Sequence, residues 1–163
     1  MKKIILLLFG FMLGLATPAS ASDEDFLKSL EGNWSGGGPV RMTAASKPVN
    51  VSCTLVGDAG SETISLHGNC RAMLVFSTRL GAELKVSQGR YAGSYVGSPR
   101  GTADLAGRRS GRTLELALQW PGHPEASMTL SSPSENRMIL TTVEKHPETG
   151  QPVETARLEL KRD

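Results

Sequence analysis

The chain is poor in the residues that most chemistry needs. Its 163 residues include three His, two Cys, two Trp, two Tyr and four Phe. Two thiols with one nearby imidazole, His67, are too few ligands for a closed tetrahedral metal site, so no metal is expected. There is no Gly-x-Ser-x-Gly nucleophile elbow. Gly36-Gly37-Gly38 is followed by neither Lys-Ser/Thr nor a helical pattern, which excludes a phosphate loop. His67 falls on the polar face of an alternating segment, His123 lies between Pro121 and Pro124, and His146 precedes Pro147. Each reads as a solvated surface residue rather than a catalyst, so the expectation is a protein that is not an enzyme and carries no cofactor.

An excess of one charge is also missing. The 18 basic and 16 acidic residues differ only by Lys2 and Lys3. The remainder is balanced and lacks the overall basic field of a nucleic-acid binder. Beyond residue 21 no apolar run is long enough to span a bilayer as a helix.

Lys2-Lys3, the apolar run from Ile4 to Leu15, Pro18 and the small residues Ala19-Ser20-Ala21 form the layout of a secretory signal. Cleavage is expected after Ala21, giving residues 1–21 as signal peptide and 22–163 as one domain. The acidic cluster Asp23-Glu24-Asp25 directly follows, unlike a membrane anchor. The expected location is periplasmic or secreted. That compartment is oxidising, and Cys53 and Cys70 are the only candidates for a bridge.

From Trp34 onward the dominant period is two. Leu114, Leu116, Leu118 and Trp120 alternate with polar or small residues, as do Ala82, Leu84 and Val86, then Ala156, Leu158 and Leu160. Such alternation marks strands with one buried and one solvated face. Turn signals recur closely, among them Gly57-Asp58-Ala59-Gly60, Gly97-Ser98-Pro99 and Pro121-Gly122. Eight to ten short strands with tight turns predict an all-β antiparallel meander, closed as a barrel or folded as a sandwich. The one helix-like stretch is Asp25 to Leu30. For the disulfide two registers remain open. A turn at Asp58–Gly60 needs a bulge at Gly68-Asn69, whereas a turn near Ser61-Glu62 sets Cys53 directly opposite Cys70.

The stretch Leu30-x-Gly32-x-Trp34-x-Gly36-x-Gly38 joins the helical lead-in to a glycine-rich first strand, with Trp34 placed to plug one barrel end. Tyr91-Ala92-Gly93-Ser94-Tyr95-Val96-Gly97 is a weaker echo. With these motifs the chain resembles the calycin-like barrels: lipocalins, avidins and nitrobindin-like proteins. More narrowly, it resembles a group of small exported alphaproteobacterial proteins of unknown function. That likeness implies an up-and-down barrel and a possible interior pocket, and no particular ligand. A nitrobindin-like haem site would need a His on a late strand, and His146-Pro147 reads as a loop. Small bacterial metalloprotease inhibitors share such a barrel, but act through an N-terminal arm that here would be only the acidic Ser22 to Ser29.

The expected function is therefore an exported, non-enzymatic binding module for a small apolar or amphipathic envelope molecule. Trp34, Trp120, Leu116 and Leu118 are the candidate lining. The alternative is a periplasmic or surface protein-interaction module, such as a small protease inhibitor. Residues 71 to 112 carry eight basic and two acidic side chains, and Arg100, Arg108, Arg109 and Arg112 fall within 13 positions. These four are the candidate patch for an anionic envelope component. Ala72 to Phe76 is apolar on both faces and is either covered or a contact surface.

Overall fold

The computed structural model describes residues 22–73 and 76–163. The expected signal peptide and its cleavage point lie outside them. One short helix, α1 (Asp23–Lys28), precedes ten strands: β1 (Gly32–Val40), β2 (Val49–Ala59), β3 (Thr63–Ala72), β4 (Phe76–Ser87), β5 (Arg90–Ser98), β6 (Gly101–Ser110), β7 (Thr113–Gln119), β8 (Ala126–Ser134), β9 (Arg137–Lys145) and β10 (Pro152–Arg162). Each strand pairs antiparallel with its sequence neighbours, and β1 pairs with β10 to close the barrel. Closure removes the exposed edges that an open meander would keep, which decides between barrel and sandwich.

The alternation read from the sequence is the inside–outside pattern of the wall. Leu114, Leu116, Leu118 and Trp120 point inward and are buried, as are Leu84, Val86, Leu158 and Leu160. Residues between them face solvent. Several inward positions are glycines instead. A Cβ on Gly93 would collide with the Glu83 carbonyl oxygen, and one on Gly107 with that of Glu115. Those strands cross so closely that only hydrogen fits, which lets the wall coil tightly.

The Cys53–Cys70 disulfide is formed, between residues directly paired in register with Cα atoms 4.1 Å apart. The β2–β3 turn thus centres on Ser61-Glu62, with Ala59 opposite Ile64, and no bulge is needed.

Helix α1 begins two residues earlier than the Asp-rich pattern predicts. Ser22 is its N-cap: the Ser22 hydroxyl accepts from the Asp25 N–H, and the Asp25 carboxylate accepts from the Ser22 backbone N–H. This reciprocal box satisfies two otherwise orphaned donors. The helix buries Phe26 and Leu27, with Leu30 just beyond it, across one end of the barrel. There Trp34 is fully buried and its indole N–H donates to Leu30 O at 3.0 Å. The Arg162 guanidinium lies 4.3 Å from the Trp34 ring centroid and donates to Ser29 O and Glu135 O. Asp23 is clamped by Arg109 at 2.7 Å and by the Tyr91 hydroxyl at 2.9 Å. This end is a plug.

Candidate functional site at the barrel mouth

The opposite end has no helix across it. It is formed by the ends of β1, β3, β5, β7 and β9 and the starts of the strands paired with them. Here the wall residues Val40, Val51, Cys70, Leu80 and Ala82 are only half buried, in contrast to the sealed core below. They make an apolar lining on the disulfide side of the mouth.

The other side is polar. Arg100, in the β5–β6 turn, donates to both oxygens of Glu144 at 2.8 and 2.7 Å. Its guanidinium lies 4.6 Å from the Trp120 ring centroid. The Trp120 indole N–H donates to Gly101 O at 3.2 Å. Glu144 stands at an inward position of β9, beyond Met138, Leu140 and Thr142. Thr142 and Thr155 are buried with their hydroxyl oxygens 2.9 Å apart. Thr155 reaches them because β10 is irregular between Glu154 and Ala156, and an extra residue in a strand re-aims a side chain.

Tyr95 lies between these two halves. Its ring meets Trp120 edge to face, with centroids 6.3 Å apart. Its hydroxyl sits over Gly97 beside Leu80, in space a side chain on Gly97 would occupy. Burial pushes the Tyr95 pKa up to about 12, and the nearby Glu144 carboxylate adds to the effect. The phenol is therefore neutral and a hydrogen donor across the physiological range. Among the described residues its hydroxyl has no hydrogen-bond partner. The ring is buried but the unpartnered hydroxyl is open to solvent, so at the edge of an apolar mouth it can donate to an acceptor atom arriving from outside.

The four aromatic and leucine residues expected to line one pocket do not do so. Trp34 belongs to the helix end, Trp120 to the mouth, and Leu116 and Leu118 to the packed core between them. Side chains on one strand face a common interior, but ten strands and two indoles fill that interior along its length. Three depressions of 710 to 740 Å³ lie on the outside, and none is lined by these four.

The arginine patch is likewise dispersed. Arg100 opens β6 at the mouth, whereas Arg109 and Arg112 stand at the helix end. Arg109 is paired with Asp23, and Arg112 donates to the Ser132 carbonyl. Arg108 is exposed on the outer wall, between Arg90 and Glu115 in register. A strand of this length separates its two ends by roughly 30 Å, so closeness in sequence here means distance in space. The Tyr91–Tyr95 echo of the Gly-x-Trp motif also divides, with Tyr91 at the plug and Tyr95 at the mouth.

His67 is exposed with its ring beside the Ser65 hydroxyl, and His123 is exposed in the β7–β8 turn. Among the described residues no three His, Cys, Asp or Glu side chains are grouped to hold a metal ion. No described helix is long and apolar enough to cross a membrane.

The closed ten-strand antiparallel barrel superposes on solved structures. The structure of Rv2717c from M. tuberculosis superposes with a TM-score of 0.64 at 17% identity, covering 84% of this chain and 94% of that one. An S-type phycobiliprotein lyase from Guillardia theta superposes with a TM-score of 0.56 at 16% identity, covering 88% and 93%. At such identities the likeness is one of fold. No family model and no curated protein sequence matches.

Proposed function

We propose that this protein is an exported binding barrel, without catalysis of its own, that takes a small amphipathic envelope molecule at the mouth. The observation that carries the reading is the Tyr95 hydroxyl, without a protein partner among the described residues and open to solvent at the mouth, beside the half-buried apolar wall of Val40, Val51, Cys70 and Leu80. An apolar body with one acceptor atom matches that lining. Support for ligand handling, though not for the absence of catalysis, comes from one structural relative that is by its name a phycobiliprotein lyase. Export is supported by the leader-like first 21 residues and by the disulfide. The likeness to small exported alphaproteobacterial proteins rests on Leu30-x-Gly32-x-Trp34-x-Gly36-x-Gly38.

The test is native mass spectrometry of the protein purified, unreduced, from its own envelope fraction. A mass equal to residues 22–163 less two hydrogens, plus a small adduct, is the expected result. The adduct should weaken in Tyr95→Phe, which keeps the ring and removes the donor. Bare protein in both cases, with no change in Trp120 fluorescence on adding envelope lipid extract, would overturn the reading.

A further inference from the structure

The rim of the mouth is not uniform. Four large apolar side chains stand exposed on one half of it: Met42 at 62%, Val49 at 38%, Met73 at 73% and Phe76 at 67%. They come from two adjacent connections. Val40 pairs with Val49 at the base of the β1–β2 loop, and Ala72 pairs with Phe76 at the base of the β3–β4 tip. Strands β2 and β3 are neighbours, with Ser52 opposite Arg71, so the two connections sit side by side. Leu74 and Val75 lie outside the described residues and form no part of the proposed surface.

Charge is sorted in the same way. Lys47, Arg71 and Arg79 are exposed around these side chains. Arg41 stands at the same loop, half buried, and donates to Ser46 O. From Gly32 to Gly57, and again from Thr63 to Ala82, the chain has no carboxylate. The rest of the rim is net acidic, with Glu125 in the β7–β8 connection and Glu144, Glu148 and Glu154 in or beside the β9–β10 one against Lys145 and the Glu144-paired Arg100. Exposed apolar side chains flanked by Lys47, Arg71 and Arg79 are complementary to a surface that is apolar underneath and anionic on top.

We infer that this half-rim docks the barrel onto an anionic lipid bilayer, with Met73 and Phe76 entering the headgroup boundary and Lys47, Arg71 and Arg79 engaging lipid phosphates. Exposed apolar side chains at the rim, flanked by cations, suit the depth at which amphipathic elements rest in a bilayer interface. Each cation at an anionic surface strengthens attachment by roughly five-fold. A second copy of the chain fits less well, because a two-fold contact would set Arg71 and Arg79 against their own equivalents. The docking rests on the rim alone and does not depend on occupancy of the mouth.

The test is co-sedimentation of the purified protein with vesicles of phosphatidylcholine alone or with about one third phosphatidylglycerol. Binding is expected to the anionic vesicles, at least ten-fold weaker to the neutral ones, and to fall as salt rises. Met73→Ser/Phe76→Ser should lose about ten-fold or more, and Arg71→Gln/Arg79→Gln about thirty-fold on anionic vesicles only. Both pairs are exposed, so their thermal melts should match wild type. If the first pair misfolds, Met42→Ser gives the same reading from the other loop. Tyr95→Phe should bind vesicles normally, which separates this inference from the ligand reading. Equal binding to both vesicle types, no binding to either, or a protein dimer abolished by Met73→Ser/Phe76→Ser would overturn it.

Discussion

Arg100 lies over the indole of Trp120, 4.6 Å from its centroid, while the same guanidinium grips the Glu144 carboxylate. One side chain thus joins the β5–β6 turn to the end of β7 and to β9. The indole face and the carboxylate both favour a cation, so the two contacts reinforce each other. This pairing makes the polar side of the mouth rigid, against which Tyr95 is held.

Replacing Arg100 by Gln removes both contacts and leaves Glu144 unpaired. The two side chains are about one-fifth exposed, at 19% and 18%, so solvent softens the loss. Urea unfolding should show a destabilisation of about 1–2 kcal/mol, toward the low end for a charged hydrogen-bonded pair. Arg100→Lys should recover only part of it, because an ammonium lacks the planar fork that serves ring and carboxylate together.

Both tyrosines of the chain have their pKa pushed up to about 12, Tyr91 by burial and then Asp23, Tyr95 by burial and then Glu144. A folded-state value above the unfolded value of 10 means the fold favours the protonated phenol. That stability is complete below pH 10 and is lost as pH climbs toward 12. Absorbance near 295 nm should show almost no phenolate at pH 10.5, then a rise coincident with loss of native ellipticity. Early, non-cooperative titration of either tyrosine would contradict the burial of its ring.

Acid should loosen the plug by another route. The Arg109 hydrogen bond, with help from Tyr91, holds the Asp23 carboxyl below its ordinary 3.8 against an opposing effect of burial. A depressed folded-state value contributes stability above the unfolded pKa and loses it as pH falls through the folded one. Asp23→Asn should therefore be less stable than wild type at neutral pH. The gap should close on acidification below about pH 4, as followed by denaturant midpoints.

The inward glycines predict a steep contrast. Gly93→Ala forces a methyl against the Glu83 carbonyl, a backbone atom that cannot step aside. It should cost about 3 kcal/mol or more, or prevent folding. Gly111→Ala meets no neighbouring atom and pays only for a positive φ of 58°, about 1 kcal/mol. Thermal melts of the two variants decide the matter.

Strand identity was legible because a one-sided wall writes period two directly into Leu114 to Trp120 and Leu158 to Leu160. The plug was legible too, since Trp34 follows a helical lead-in of the right length to cover it. The mouth was hidden for a physical reason. Arg100 and Arg109 look like neighbours until a strand is drawn between them, after which they stand at opposite ends with different partners. Glu144 and Thr142 continue the inward series of Met138 and Leu140, and extending that alternation would have found them. Tyr95 stood in a stretch already noticed, but its role depends on Gly97, Leu80 and Trp120, which only the closed wall brings together. Thr155 depends on a strand irregularity that no periodicity reveals.

The pairing of β1 with β10 has a consequence for the life of the chain. Every other strand finds its partner within a hairpin, so the wall can assemble in the order in which it is made. The first strand must wait for the last. Leu160 pairs with Gly36, and Arg162 with Trp34, late in β10. Until those residues arrive, the molecule is a ribbon with two raw edges and an uncovered indole. Removing β10 would therefore leave an unsealed sheet, sticky to its own kind, rather than a smaller barrel.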